Sequence, residues 1–233
     1  RVYVVPGRLS MGSSVCSAAC CDGRPAMDGS GAPSLVVVAK SSGLSGMLVR
    51  RPLYTYPNGS TYDGQWLGEV RHGHGVQVWF DGARYEGSWD NDQAHGHGRF
   101  VHLDGDIYEG QWHRDKAHGK GKYIFHAGSA YVGEWREDLQ HGEGEETWPD
   151  GSRYSGQYCK GVKSGIGSFS WSDGSSYKGA FADNDIHGDG TYIWKDGRRY
   201  DGQWDKSRMM GRGRFIWADG RIYDGQYDGD QKS

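Results

Sequence analysis

A tyrosine recurs every 23 residues through most of this 233-residue chain, without one insertion or deletion. A glycine stands two positions after each of these tyrosines, and an aromatic residue stands four positions after it. The tyrosines are Tyr62, Tyr85, Tyr108, Tyr131, Tyr154, Tyr177, Tyr200 and Tyr223. A fixed period in this range is typical of architectures that stack one supersecondary unit many times. We therefore expect a repeat fold, in which each unit contacts its neighbours, and not a single globular core.

Within one repeat the residues alternate between apolar and polar. Tyr85, Gly87 and Trp89 would share one face of an extended strand, with Glu86 and Ser88 on the other face. This period of two, with aromatic enrichment, predicts a β-strand, and no helical period occurs in the repeats.

An Asp-Gly dipeptide, such as 81–82 or 196–197, closes most of the repeats. Asp-Gly between two alternating runs is a strong hairpin signal, because a type I′ turn needs positive φ at both central residues. We therefore expect each unit to be a hairpin closed at Asp-Gly. Seven-residue connectors, such as 90–96 and 113–119, would then lead to the next hairpin.

The aromatic and glycine residues are expected to form the core. All ten tryptophans fall at two positions of the repeat, and most of the 40 glycines fall at four. Glycine has no side chain, so a large ring can lie flat against the backbone beside it. The predicted structural aromatic ladder comprises Tyr62, Trp66, Tyr85, Trp89, Tyr108, Trp112, Tyr131, Trp135, Tyr154, Tyr177, Tyr200 and Trp204.

These patterns predict an all-β fold, an elongated solenoid-like single sheet of stacked β-hairpins with 23-residue repeats. Residues 54–233 would form the array, with seven full units and a half-unit at each end. Residues 1–53 carry no repeat and are expected to be an irregular basic N-terminal extension. Residues 34–53 are candidates to cap the first hairpin.

The repeats resemble MORN (membrane occupation and recognition nexus) repeats. The resemblance lies in strings such as Tyr-Glu-Gly-Ser-Trp at 85–89 followed by His-Gly-His-Gly at 95–98. Two units depart from it, with Ser-Gly at 164–165 and Met-Gly at 210–211. The resemblance implies one of two roles for this chain. It would be a structural subunit of a flagellar or junctional assembly, or it would bind phospholipid, as some members of the family are proposed to do.

The N-terminal extension differs from the array in charge and composition. Six basic and two acidic residues give residues 1–53 a net charge of +4. The whole chain has a net charge of −3, so residues 54–233 carry −7. A segment so poor in core-forming residues is most easily ordered by packing on a partner. Cys16, Cys20 and Cys21 are interpreted as free thiols, in preference to a lipidation or zinc site. The basic start also fits the remnant of an organelle-targeting leader.

No pattern of catalytic residues is found in the chain, and we expect no enzyme activity, small-molecule substrate, cofactor or bound metal. Five of the ten histidines share one repeat position, but neighbouring repeats would hold them about 10 Å apart, too far to share a zinc ion. The acidic array also argues against nucleic-acid binding, which needs a basic surface.

Two functions remain. The preferred one is a non-catalytic scaffold, a rigid repeat rod that contacts other proteins in a larger intracellular assembly of the cytoplasm or cytoskeleton, such as a ciliary or flagellar axoneme. The alternative is a peripheral membrane adaptor, at an organelle or elsewhere, that binds phospholipid headgroups through the array or the basic tail. Candidate partner contacts are Lys160, Lys163, Met209 and Met210, where two connectors depart from the repeat.

Overall fold

A computed structural model of the protein describes residues 46–232, and these residues form strands and turns without a helix. The predictions for residues 1–45, including the free thiols and the leader, lie outside the described residues. The contacts divide the chain into two units, whose described parts are residues 46–119 and 120–232, and the division falls within strand β8. In each unit, consecutive strands pair antiparallel through short turns, which confirms the predicted all-β fold of repeated hairpins.

The strands alternate between seven and nine residues in the regular part of the chain. Those of the first unit are β1 (Leu48–Arg50), β2 (Tyr54–Thr55), β3 (Thr61–Leu67), β4 (Val70–Val78), β5 (Arg84–Asp90), β6 (Gln93–Val101) and β7 (Ile107–His113), followed by β8 (Lys116–Ile124) at the division. Those of the second unit are β9 (Ala130–Arg136), β10 (Leu139–Thr147), β11 (Arg153–Cys159), β12 (Val162–Ser170), β13 (Ser176–Ala182), β14 (Asp185–Ile193), β15 (Arg199–Asp205), β16 (Arg208–Ile216), β17 (Ile222–Asp228) and β18 (Gln231–Lys232).

Asp-Gly joins paired strands as predicted, since β4 pairs with β5 on either side of 81–82, but the prediction of a type I′ turn there was wrong. Asn91 and Asp92, between β5 and β6, both have positive φ, 48° and 67°. At the Asp-Gly loop only Gly82 has positive φ, and its N–H donates to the Trp79 carbonyl at 2.9 Å. This is the geometry of a three-residue loop, a type I turn followed by a left-handed glycine. The predicted seven-residue connectors are also wrong, because residues 93–96 already belong to β6.

A β-bulge explains the His-Gly motif, which the sequence alone left unassigned. Gly64 pairs with Gly75 and Trp66 pairs with Arg71, so that three residues of β4 lie opposite Gln65 alone. The middle one, Gly73, has φ +73°, and a Cβ there would collide with the Gln65 side chain. A bulge bends its strand, and glycine supplies the left-handed conformation that this one needs.

The repeated glycine that follows each tyrosine faces a second glycine on the next strand. A Cβ on Gly64 would lie 2.5 Å from both the Gly75 Cα and the Tyr62 hydroxyl oxygen, so a side chain cannot fit there. Tyr62 lies on this glycine pair and is 0% exposed. The glycine pair therefore makes room for the tyrosine ring to lie against the backbone, as the sequence predicted.

The first hairpins begin earlier than expected. β1 lies in the segment predicted to be irregular, and it pairs with the Trp66 end of β3 while β2 pairs with the Tyr62 end. Val49 lies opposite Trp66, and Arg50 donates to Asp63 at 3.1 Å. Residues 48–55 thus cover the edge of β3 that β4 does not occupy, which is the capping role expected for the end of the extension.

Candidate interaction surface

The predicted aromatic ladder lies in the core of each unit. Tyr158 and Phe181, which were not part of the predicted ladder, hold the same repeat position as its tryptophans, and we call the combined set row one. Its members are Tyr62, Trp66, Tyr85, Trp89, Tyr108, Trp112, Tyr131, Trp135, Tyr154, Tyr158, Tyr177, Phe181, Tyr200 and Trp204, none more than 6% exposed. The Tyr85 ring meets Trp89 and Trp112 edge-on, with centroids 5.0 Å and 5.3 Å away. Its hydroxyl donates to the Ser88 carbonyl at 2.9 Å. Row one is therefore occupied by its own packing and leaves no surface for a ligand.

A second line of rings runs along the loop side of residues 148–217. We call it row two, and it comprises Trp148, Phe169, Trp171, Tyr192, Trp194, Phe215 and Trp217. Consecutive centroids lie 5.3, 4.5, 5.1, 4.6, 5.4 and 4.9 Å apart. The tryptophans of row two are only half-buried. Tryptophans were expected in the core at both repeat positions. Those of row one are buried as expected, whereas those of row two are only partly buried.

Lys163, a predicted partner contact, points into the fold. Its ammonium donates to the Glu146 carboxylate at 2.7 Å, and the two side chains are 12% and 1% exposed. The Tyr158 hydroxyl donates to the same carboxylate at 3.0 Å. Burial raises the pKa of Tyr158 far above its usual value, and the neighbouring carboxylate adds to this. The rings of Trp148 and Tyr154 lie 5.1 Å from the ammonium, in cation–π geometry.

The other three predicted contacts occupy different environments. Lys160 lies at the tight turn between β11 and β12, with φ 51°, and is exposed. Met209 is 3% exposed and packs in the core, at the same repeat position as Lys163. Met210 is half-buried, and its sulfur accepts the Gly229 N–H at 3.0 Å. Of the four residues, Lys160 is the one that is exposed.

The outer sheet face, opposite row one, presents polar and charged side chains. Many of its charges are paired across strands or along them: Arg199 contacts Asp201 at 2.7 Å, and Arg212 lies 3.7 Å from Asp224. Sequence reasoning treated this face as solvated charge and did not single out any residue there. The outer residue that follows each row-one tyrosine is acidic near both ends of the array and Val, Ser or Lys in the middle repeats, and this signal was available in the aligned units.

The histidines and acidic residues of 46–232 do not gather into a metal-binding cluster. No three His, Cys, Asp or Glu side chains converge there in a way that could hold a metal ion. Two of the aligned histidines, His72 and His187, place Nδ1 3.4 Å from the carboxylates of Asp90 and Asp205. Within the same residues, no helix is long and apolar enough to span a bilayer.

The comparison with protein families decides the identity of the repeats. Seven consecutive MORN repeats match at 62–84, 85–107, 108–130, 131–153, 154–176, 177–198 and 200–220. The chain belongs to the MORN-repeat family. MORN repeats are structural units of protein-binding or membrane-binding scaffolds, and the boundaries of the matched units follow the row-one tyrosines. No curated protein matches this MORN chain.

Some solved structures of β-sheet domains resemble the MORN chain. One is the SAS-4 (dCPAP) TCP domain of Drosophila melanogaster in complex with a proline-rich motif of Ana2 (dSTIL), with 13% identity, TM-score 0.42, and coverage of 83% of this chain and 98% of that one. Another is the G-box domain of the microcephaly protein CPAP, with 15% identity, TM-score 0.39, and coverage of 76% and 98%. At these TM-scores the likeness carries no information on the partners of the MORN chain.

Proposed function

We propose that this MORN array is a non-catalytic scaffold subunit that binds other proteins at fixed spacing within a larger assembly. One observation carries the proposal: a constant frame presents a variable surface. The frame is row one with its glycine pairs, which repeats every 23 residues. At the outer-face position after each tyrosine, the residue is Asp63, Glu86, Glu109, Val132, Ser155, Lys178, Asp201 or Asp224.

A variable residue on a constant frame is what a multi-partner binding surface requires. The frame fixes the position of each side chain, and the side chain supplies the chemical identity that a partner recognises. We therefore expect the surface to act by binding. We propose a cytoskeletal assembly, including a cilium or flagellum, as the setting, with a membrane-associated complex as the alternative.

The native size of the protein in a gentle cell extract tests this function. The extract would be separated from membranes and analysed with and without detergent. We expect a soluble particle several times heavier than the 25.8 kDa chain, with the same size in both conditions. A monomer that floats with vesicles containing anionic lipid would contradict the scaffold function and support the membrane adaptor.

The membrane adaptor is supported by one specific observation. Phe80 and Leu103, at the same position of successive loops, are 72% and 71% exposed. Exposed apolar side chains at neighbouring loop tips can insert into the interfacial region of a bilayer. The double variant Phe80→Ser, Leu103→Ser would then lose vesicle flotation. Ile222→Ser is the control, because Ile222 is an exposed apolar residue on a strand, β17, and not at a loop tip.

A further inference from the structure

The outer face of β12, β13 and β14 differs from the rest of the second unit. Around Lys178 its residues are serine, threonine, alanine and isoleucine, and the acidic Asp185 and Asp189 lie towards the other end of β14. A shallow depression of about 610 Å³ is lined there by Ile166, Ser168, Lys178, Thr191 and Ile193, together with their strand neighbours. We call this surface the Lys178 patch.

Lys178 is an unpaired cation. Its side chain is exposed, and no carboxylate of residues 46–232 lies within salt-bridge distance of its ammonium. The arginines that flank the patch are paired instead, Arg153 with Glu145 and Arg199 with Asp201. The charge of Lys178 is therefore available to a carboxylate that this part of the chain does not supply.

Two exposed isoleucines flank Lys178 on opposite sides. Ile166 of β12 and Ile193 of β14 are 59% and 39% exposed. Lys178 pairs with Ser168 and Thr191, so each isoleucine lies two residues further along its strand, in opposite directions. Such diagonal neighbours on one face of a sheet are about 7–8 Å apart. The patch is thus a line of aliphatic, cationic and aliphatic groups with nearly equal steps.

We propose that the Lys178 patch binds an extended protein segment with an acidic residue between two aliphatic residues, at alternate positions. Side chains at i, i+2 and i+4 of an extended chain share one face, about 6.6 Å apart. This spacing fits the steps from Ile166 to Lys178 to Ile193, and the central carboxylate complements the unpaired ammonium. An anionic membrane is disfavoured, because its recognition takes a cluster of Lys and Arg residues, whereas Lys178 is the one basic residue that lines the patch.

The proposal rests on the proposed scaffold function and can be tested separately from it. The probe is the peptide Ac-Ser-Leu-Ser-Glu-Ser-Leu-Ser-NH2, titrated into the isotopically labelled full chain and followed by NMR. We expect amide shifts centred on residues 166–168, 176–180 and 191–193. Lys178→Glu should weaken binding at least tenfold, as should Ile166→Ser combined with Ile193→Ser. A peptide with Gln in place of Glu should bind about fivefold more weakly and with little salt dependence.

Two variants serve as matched controls. Lys206→Glu makes the same charge change at an exposed turn, and Ile222→Ser removes an exposed isoleucine from β17. The proposal is overturned if these variants weaken binding as much as the patch variants do, if the shifts map elsewhere, or if no shifts occur at about 5 mM peptide. If one of these outcomes occurs and the Lys178→Glu protein keeps its native particle size in extract, the peptide-binding proposal is wrong but the scaffold function still stands.

Discussion

The two aromatic rows of this MORN protein differ in what their rings touch. Row-one tyrosines lie on backbone, over glycine pairs such as Gly179 and Gly190, and the repeat keeps these residues without exception. Row-two rings touch other side chains, as Trp171 does Phe169 and Tyr192. The repeat position of Phe169 and Tyr192 is not always aromatic: it holds Glu146 one repeat before Phe169, and Gln77 in the first unit.

This difference shows which part of the repeat tolerates change. A ring against backbone has no neighbour that can move aside, so every unit needs the same residues. A ring against a side chain can be replaced when the neighbour changes with it, as the Lys163–Glu146 pair demonstrates. Row one therefore carries the fold, while row two and the outer face can diverge between repeats.

The largest effect is expected where row two departs from aromatic residues. Glu146→Ala would leave the Lys163 ammonium in the core without its carboxylate. We expect a loss of about 3–5 kcal/mol in the free energy of unfolding, because breaking a buried pair strands a desolvated charge. Urea unfolding followed by tryptophan fluorescence measures it.

A compensated variant provides the control for this prediction. Glu146→Phe, Tyr158→Phe and Lys163→Ile together recreate the residues that stand one repeat later, Phe169, Phe181 and Ile186, and leave no buried hydroxyl without its acceptor. Replacing a buried ion pair by packed apolar groups is often neutral or stabilising, so we expect wild-type stability or better. A triple variant as unstable as Glu146→Ala would show that row two is as inflexible as row one.

Row one should not be rescuable in this way. Gly190→Ala would place a Cβ 2.5 Å from Cε2 of Tyr177, against a ring that already rests on backbone. We expect a loss of about 2–3 kcal/mol from overpacking. Gly197→Asn is the control: it changes another glycine, in an open loop at φ +86°, and should cost less than about 1 kcal/mol. Equal losses would contradict the special role of the glycine pairs.

The sequence revealed row one because its contacts are periodic and local. Tyr85, Gly87 and Trp89 lie on one strand, so their shared face follows from alternation alone. The tight turns were misplaced because Asn91 and Asp92 adopt positive φ without a glycine, a conformation that Asn and Asp tolerate. Attention to Asp-Gly alone therefore assigned the type I′ turn to the wrong one of the two loops in each repeat.

The burial of Lys163 could not be seen from its own connector. Its carboxylate, Glu146, is 17 residues earlier and on a different hairpin. One signal was available, since the same repeat position holds Ala94, Ala117 and Ile186, all buried. Comparison between units would have placed Lys163, and also Met209, in the core.

Because the row-one tyrosines are buried, we also expect the protein to lose stability at alkaline pH. Burial raises the pKa of Tyr62 to about 12, and raises that of Tyr85 and Tyr177 further. In the unfolded chain these hydroxyls titrate near pH 10. A raised folded pKa means that the stability contribution is complete below pH 10 and is lost as the pH rises through about 12. Absorbance at 295 nm should show these tyrosines protonated at pH 11 in the native protein and ionised in urea. Native titration near pH 10 would contradict their burial.

The smallest effect is expected at a turn, where a side chain again supports a neighbouring hairpin. Asp92 accepts the Arg71 N–H at 2.8 Å, which fastens one tight turn to the preceding hairpin. Gly161 occupies the equivalent position beside Gln140 and has no side chain to do so, although its own N–H donates to the Gln140 carbonyl at 2.9 Å. Gly161→Asp should therefore be about 0.5–1 kcal/mol more stable than Gly161→Ala, by one added hydrogen bond, since both side chains carry the strain of positive φ there.

Gly161→Ala separates this hydrogen bond from the conformation of the turn. Alanine at φ +86° carries the strain of the left-handed region without an oxygen to accept the N–H, so it should be less stable than wild type. If the Asp and Ala variants lose stability equally, the side-chain contact at the turns contributes nothing. If the Asp variant is the more stable of the two, the turns follow the same rule as row two: positions that meet a neighbour through a side chain can change, and one that lost its contact can regain it.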